Sequence, residues 1–79
     1  MSPTVFREKG YRFFFFSREE ERMHVHIYCA DGEAKYWLEP EIEYAKNYGL
    51  SKQQLKEIET IVKEHADELR TSWKKHFRS

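Results

Sequence analysis

Two histidines, His24 and His26, stand two positions apart in residues 22–40, RMHVHIYCADGEAKYWLEP. Histidine is the side chain best suited to exchange a proton near neutral pH, so one ring could act as a general base and the other as a general acid. Two imidazoles beside a carboxylate could instead bind a metal ion. Which chemistry is open to the pair depends on the side chains that share its face.

The dipeptide Asp31-Gly32 is the strongest hairpin signal in the chain and follows the histidine segment closely. A two-residue Asp-Gly loop predicts that His24 lies opposite Glu39. Because side chains alternate along a strand, the face predicted to pack on a helix carries Val25, Ile27, Cys29, Ala34, Tyr36 and Leu38. The opposite face, which is the candidate site, carries His24, His26, Tyr28, Lys35, Trp37 and Glu39.

A second hairpin is predicted at Lys9-Gly10, which separates two stretches rich in β-branched and aromatic residues. A two-residue loop there places Arg7 opposite Arg12. Like charges directly opposite each other are unfavourable in a sheet, so a phosphate or the Glu39 carboxylate between them would stabilise the pair. The four consecutive phenylalanines at 13–16 show no alternation, which predicts a strand covered on both faces.

The last third of the chain has helical periodicity. Ser51 and Gln54 have the spacing of a capping box, and apolar residues then recur three or four positions apart up to Phe77. This pattern predicts one long amphipathic helix over residues 51–77, after a β-sheet region over residues 1–48. Residues 42–48 fit either an edge strand or a helical turn. The predicted fold class is α+β: an antiparallel sheet of two hairpins, with four strands or five, packed on one C-terminal helix.

Composition limits the classes of function. A chain of 79 residues predicts a single domain. Its 14 basic and 14 acidic residues do not give the excess of positive charge that is typical of a dedicated nucleic-acid binder. The near-zero net charge leaves little to oppose self-association, so a homodimer is compatible with it. The single cysteine, Cys29, excludes an internal disulfide and a cysteine zinc cluster. Without a long apolar run or a signal-peptide pattern, we expect a cytoplasmic protein that does not contact membranes.

Four interpretations of the histidine face stay open. It could be a solvated sheet surface, or a protein interface, since tryptophan, tyrosine and arginine are typical of binding hot spots. It could act on RNA, with His24 and His26 as acid and base. In that case Arg12, Lys35 and Arg7 would hold a phosphate and Tyr28 or Trp37 would stack on a base.

The fourth interpretation is a metal site of His24, His26 and Glu39. Such a site needs an enclosed pocket, which a chain of this length can hardly build alone. We therefore predict no metal and no cofactor.

Three blocks of the sequence resemble a family of small bacterial proteins, domain of unknown function 4160. They are TVFREKGYRFFFFS, HVHIYCADGEAKYWLEP and YAKNYGLSKQQLKEIETIVKEHADELRTSWKKHF. Members usually read Pro-Pro-His-Val-His at the histidine strand, where this chain has Arg22-Met23 in place of the prolines. The positions that match the family are Tyr11, Arg12, His24, His26, Glu33, Lys35 and Trp37.

The resemblance implies a function that the residues alone do not prove. Genes of this family often sit beside a second small gene of uncharacterised family 2442, an arrangement typical of a type II toxin–antitoxin pair. We therefore expect a toxin component that acts on RNA through its histidine face and binds a small cognate antitoxin. The alternative is a noncatalytic protein-interaction module that uses the same face. The expected interface or stacking residues are Tyr11, Tyr28, Trp37, Glu33 and Glu39.

Overall fold

The computed structural model describes residues 4–15 and 22–77. In chain order its elements are β1 (Thr4–Glu8), β2 (Tyr11–Phe14), β3 (His24–Cys29), β4 (Gly32–Trp37), β5 (Glu43–Tyr48), α1 (Lys52–Glu64) and α2 (Ala66–His76). The strands form one five-stranded antiparallel sheet in the order β1-β2-β3-β4-β5. The α+β class is confirmed, and the ambiguous segment at residues 42–48 forms the fifth strand at the sheet edge.

The first hairpin has the predicted register. Arg7 lies opposite Arg12, and the two loop residues Lys9 and Gly10 have φ of 52° and 84°. Two positive φ angles in a two-residue loop match the right-handed twist of the flanking strands. Phe13 and Phe14 point to opposite faces of β2 and are both buried, as the lack of alternation predicted. Phe16, the last of the four phenylalanines, lies outside the described residues.

The second hairpin differs from its predicted register by two residues. The loop is Ala30-Asp31, so Cys29 lies opposite Gly32, and His24 lies opposite Trp37 rather than Glu39. Gly32 does not have a positive φ; it begins β4, where an added Cβ would overlap the carbonyl oxygen of Tyr48. Glycine at this position therefore serves the close approach of β5, which the hairpin signal does not reveal.

A shift of two residues leaves every side chain on its predicted face. One face, called the helix face, is buried under α1 and α2; the other is called the outer face. The helix-face core from the strands consists of Tyr11, Phe13, Val25, Ile27, Ala34 and Tyr36, with Phe15 and Leu38 just beyond strand ends. The helices contribute Ile58, Ile61, Val62, Leu69 and Trp73 to the same core. Full burial of each such aliphatic side chain contributes about 1.5–3 kcal/mol.

The start of α1 is fixed against the sheet. The predicted capping box is present: the Gln54 backbone N–H donates to Ser51 Oγ at 3.1 Å, and the Ser51 N–H donates to Gln54 Oε1 at 2.9 Å. Gln54 Nε2 also donates to the carboxylate of Asp31 at 2.9 Å. Gly49 has φ of 82°, and a Cβ there would lie 2.6 Å from the Asp31 carbonyl oxygen. The first turn of α1 is therefore held beside the β3–β4 loop.

The prediction of one long helix is wrong at His65. Helix α1 ends at Glu64 and α2 begins at Ala66, because His65 has φ of −107° and ψ of 18°. The His65 ring contacts the sheet: Nε2 lies 3.0 Å from Glu8 of β1, and the ring centroid lies 4.3 Å from that of Phe6. No helix in the described part of the chain is both long and apolar enough to cross a bilayer.

Candidate functional site

One residue from each strand forms a row across the outer face. The register aligns Arg7, Arg12, Tyr28, Glu33 and Tyr48 in that order. We call these five residues the outer row. Because neighbouring strands lie about 4.8 Å apart, the row spans about 19 Å. Tyr28 is 52% exposed and Tyr48 is 60% exposed, so two aromatic rings face solvent on this surface.

Arg7 and Arg12 lie opposite each other as predicted, but Glu39 does not lie between them. Arg12 Nε donates to the Thr4 hydroxyl at 2.6 Å, and its guanidinium lies 4.5 Å from the centroid of the Phe14 ring. These contacts hold the Arg12 guanidinium beside Thr4 and Phe14, which lie opposite each other on the same face of the sheet. Glu39 lies beyond the end of β4, where its carbonyl oxygen accepts a hydrogen bond from Arg22 Nε at 2.9 Å.

His24 is fully buried. Its ring lies edge-on to His26 and Trp37, at centroid distances of 4.9 Å and 5.5 Å, and 5.1 Å from Trp73 of α2. His24 Nδ1 lies 2.8 Å from the backbone carbonyl oxygen of Arg22. A carbonyl oxygen can only accept, so this nitrogen carries a proton. The ring is thus oriented and covered, and it is not open to a large substrate from solvent.

Two cations, Arg22 and Lys35, contact Trp37. Arg22 places its guanidinium 4.2 Å from the indole centroid, and Lys35 places its ammonium 4.4 Å from it. Arg22 also forms an ion pair with Glu43 of β5 at 2.9 Å. Such cation–π contacts stabilise the site by about 0.5–2 kcal/mol each. Lys35, predicted to hold a phosphate, is buried here opposite His26.

Tyr11 is separated from the other candidate residues. The sequence placed it among the interface residues, but it points to the helix face and is buried. Its hydroxyl donates to Glu57 Oε1 at 2.8 Å, so it connects β2 to α1. Burial, and next the hydrogen bond to Glu57, raise the pKa of Tyr11 to about 12. The reason is alternation: Arg12 faces outward, so its neighbour Tyr11 faces inward.

The hypothesis of a three-residue metal site is not supported by the register. His24 lies opposite Trp37, and Glu39 lies past the strand end. Across residues 4–15 and 22–77, no three histidine, cysteine, aspartate or glutamate side chains lie close enough together to hold a metal ion.

The contribution of β5 to the outer face was not predicted from the sequence. Tyr48 completes the outer row beside Glu33, and Lys46 lies beside Lys35. Neither was predicted, because residues 42–48 were not assigned as a strand. Arg22 was not predicted either; its one signal was its position two residues before His24.

Comparison with known proteins bears on the family but not on the activity. The family described as Domain of unknown function (DUF4160) matches residues 10–74, which confirms the resemblance drawn from the sequence blocks. Comparisons with curated proteins and with solved structures gave no match.

Proposed function

We propose, from the premise that this chain belongs to the DUF4160 family, that it is the toxin component of a two-component toxin–antitoxin pair and binds a small cognate antitoxin through the outer row. The observation that carries the binding role is the outer row itself, in which Tyr28 and Tyr48 are more than half exposed on one face of the sheet. The toxin role rests on the gene arrangement that the family resemblance implies.

The composition of the outer row suits a protein partner. Tyrosine and arginine are the residue types enriched at interface hot spots, because they bury large areas and still offer a polar group. The outer row carries two arginines against Glu33, and Lys46 lies in the next position along β5. The charge balance of this surface is positive, so we expect the partner to present acidic side chains around an apolar centre.

Binding is favoured over catalysis because of His24. A general base must come within hydrogen-bonding distance of the proton that it removes. His24 is fully buried, and its Nδ1 is already committed to the Arg22 carbonyl. This arrangement suits a histidine that supports the sheet.

RNA binding is the second candidate. Exposed aromatic rings beside cations on a sheet face can stack on the bases of single-stranded RNA and contact its phosphates. Tyr28 and Tyr48 lie in one row with Arg7 and Arg12, which is the observation that favours this candidate. RNA and a protein partner would use the same surface, so one experiment should separate them.

The test is growth of a bacterial host that expresses this chain under inducible control, with or without a family-2442 protein from the same genome. We expect the wild type to arrest growth and the partner to relieve the arrest. Tyr28→Ala with Tyr48→Ala should still arrest growth but should no longer be relieved. Loss of a hot spot of about 2 kcal/mol would weaken binding about 30-fold, which calorimetry on the purified pair can measure.

Lys74→Ala is the control, since Lys74 is an exposed residue of α2 that lies outside the outer row. If the outer-row variant no longer arrests growth although it accumulates normally, the outer row is the toxic surface, and RNA binding becomes the better hypothesis. A wild type that never slows growth would refute the toxin role. Calorimetry would then test the docking role by itself.

A further inference from the structure

A groove of about 320 Å³ lies between the edge of the sheet and α1. Its walls are Tyr36, Tyr44, Lys52, Leu55, Lys56 and Glu59. It is on the helix face, and the outer row is on the opposite face, so the two surfaces are separate. The volume is at the lower end of the range for pockets that bind small ligands or single side chains.

A β-bulge turns Tyr44 into this groove. Lys46 lies opposite Lys35, but Tyr44 rather than Ala45 lies opposite Tyr36, so β5 has one extra residue at this point. The bulge aims Tyr44 at the helix face, where its ring centroid lies 6.0 Å from that of Tyr36. Tyr44 nevertheless stays 50% exposed, because α1 does not close over it. Bulges near sheet edges are a common means of re-aiming a side chain at a functional site.

Strand β5 is at the end of the sheet order. In the part of the chain that the structure describes, it pairs with β4 on one side and with no strand on the other. The outward backbone N–H and C=O groups of an edge strand can pair with an added strand. A peptide that pairs with β5 would lie beside the groove and could place alternate side chains into it.

The α1 wall of the groove is positively charged. Lys52 and Lys56 are four positions apart on the helix, a spacing at which like charges repel each other. Neither forms an ion pair within residues 4–15 and 22–77. Glu59, the acidic residue of the wall, is paired with Lys63 at 3.1 Å. A carboxylate between Lys52 and Lys56 would relieve their repulsion.

We propose that this groove binds an extended acidic peptide segment of a partner protein, which adds to the free edge of β5. One apolar side chain of the peptide packs between Tyr44 and Leu55. An acidic side chain of the peptide is held by Lys52 and Lys56. This site does not depend on the outer row, so either proposal can fail while the other stands.

The test begins with a display library of short random peptides selected on the purified full chain. We expect the enriched peptides to combine acidic residues with one apolar or aromatic residue. Lys52→Glu with Lys56→Glu should weaken binding of a labelled enriched peptide by about tenfold or more in fluorescence anisotropy, and Tyr44→Ala should do the same. Peptide addition should shift the backbone amide signals of Glu43–Tyr48 in NMR spectra.

One variant controls for charge reversal outside the groove. Lys74→Glu reverses an exposed charge on α2. It should not alter the affinity by more than about twofold. The proposal is overturned if no peptide is enriched, if the enriched peptides are not acidic, or if the groove variants bind the enriched peptide as tightly as the wild type does. Circular dichroism of each variant verifies that it is folded.

Discussion

His65 makes the stability of this fold depend on pH. Its ring joins two elements: Nδ1 lies 2.8 Å from Glu68 of α2 and Nε2 lies 3.0 Å from Glu8 of β1. The hydrogen bond to Glu68 is the largest cause that raises the pKa of His65 above its usual 6.5; burial opposes it and Glu8 adds to it. A raised pKa in the folded state means that folding favours the protonated ring. The extra stability is therefore complete below pH 6.5 and is lost as the pH rises through the folded-state pKa.

The size of the effect follows from the exposure of the three side chains. His65 is 31% exposed, Glu8 is 32% exposed and Glu68 is 50% exposed, so water screens both contacts. Ion pairs of this kind contribute about 0.2–1 kcal/mol each, which gives about 1 kcal/mol for the two together. In a domain of this size, 1 kcal/mol corresponds to a change in Tm of about 4–8 °C.

The perturbation is His65→Gln, and the assay is thermal unfolding followed by circular dichroism between about pH 5.5 and pH 8. The Tm difference between the wild type and the variant should be larger at the acidic end of this range than at the basic end, by about 4–8 °C. Loss of the contact with Phe6 should add a difference that does not change with pH. Glu8→Gln should reduce the pH-dependent part without removing it.

His76→Gln is the matched control, because the His76 ring packs against Phe15 and Phe77. It should not reproduce the larger difference at low pH. If the difference between wild type and His65→Gln is independent of pH, or is larger at pH 8, the reasoning about the two carboxylates is wrong.

Two further predictions concern the positions that set register and packing. Gly32→Ala should destabilise the fold by about 1–3 kcal/mol in urea denaturation, because its Cβ would overlap the Tyr48 carbonyl oxygen. Gly10→Ala has no atom within 4 Å of the added Cβ. It should therefore cost only the strain of its positive φ, about 1–2 kcal/mol. A Gly32→Ala variant that loses less than about 1 kcal/mol and keeps intact β4–β5 pairing by NMR would contradict this. Ile58→Ala should cost about 2–5 kcal/mol, since Ile58 is fully buried; a loss below 1 kcal/mol would mean that α1 is not packed on the sheet as described.

Alternation made the faces of the sheet predictable from the sequence. Alternation along β3 and β4 placed Val25, Ile27 and Tyr36 on the buried face, and this prediction survived because the register error was two residues, an even number. The register itself could not be read from Asp31-Gly32. The atom that fixes Gly32 in β4 is the Tyr48 carbonyl, which comes from a strand that is distant in sequence.

The helix break was not predictable from periodicity. The hydrogen bonds from His65 N–H to the Ile61 carbonyl and from Leu69 N–H to the His65 carbonyl are retained, so the apolar spacing continues through the break. The cause is a tertiary contact with Glu8 and Phe6. The candidate site was partly predictable for the same reasons: Tyr28 and Trp37 were placed on the correct face, but the burial of His24 depends on Trp73 of α2.

The strand order has a consequence for how the chain folds. Each strand of the sheet pairs with the strand next to it in sequence, so every ladder forms between neighbouring segments. Domains in which contacting residues are close along the chain fold faster than those that must first close long loops. The contacts that close longer loops are those between the helices and the sheet, such as the hydrogen bond from the Tyr36 hydroxyl to the Leu55 carbonyl at 3.0 Å. This strand order therefore limits the time for which the edges of the inner strands β2, β3 and β4 stay unpaired during folding.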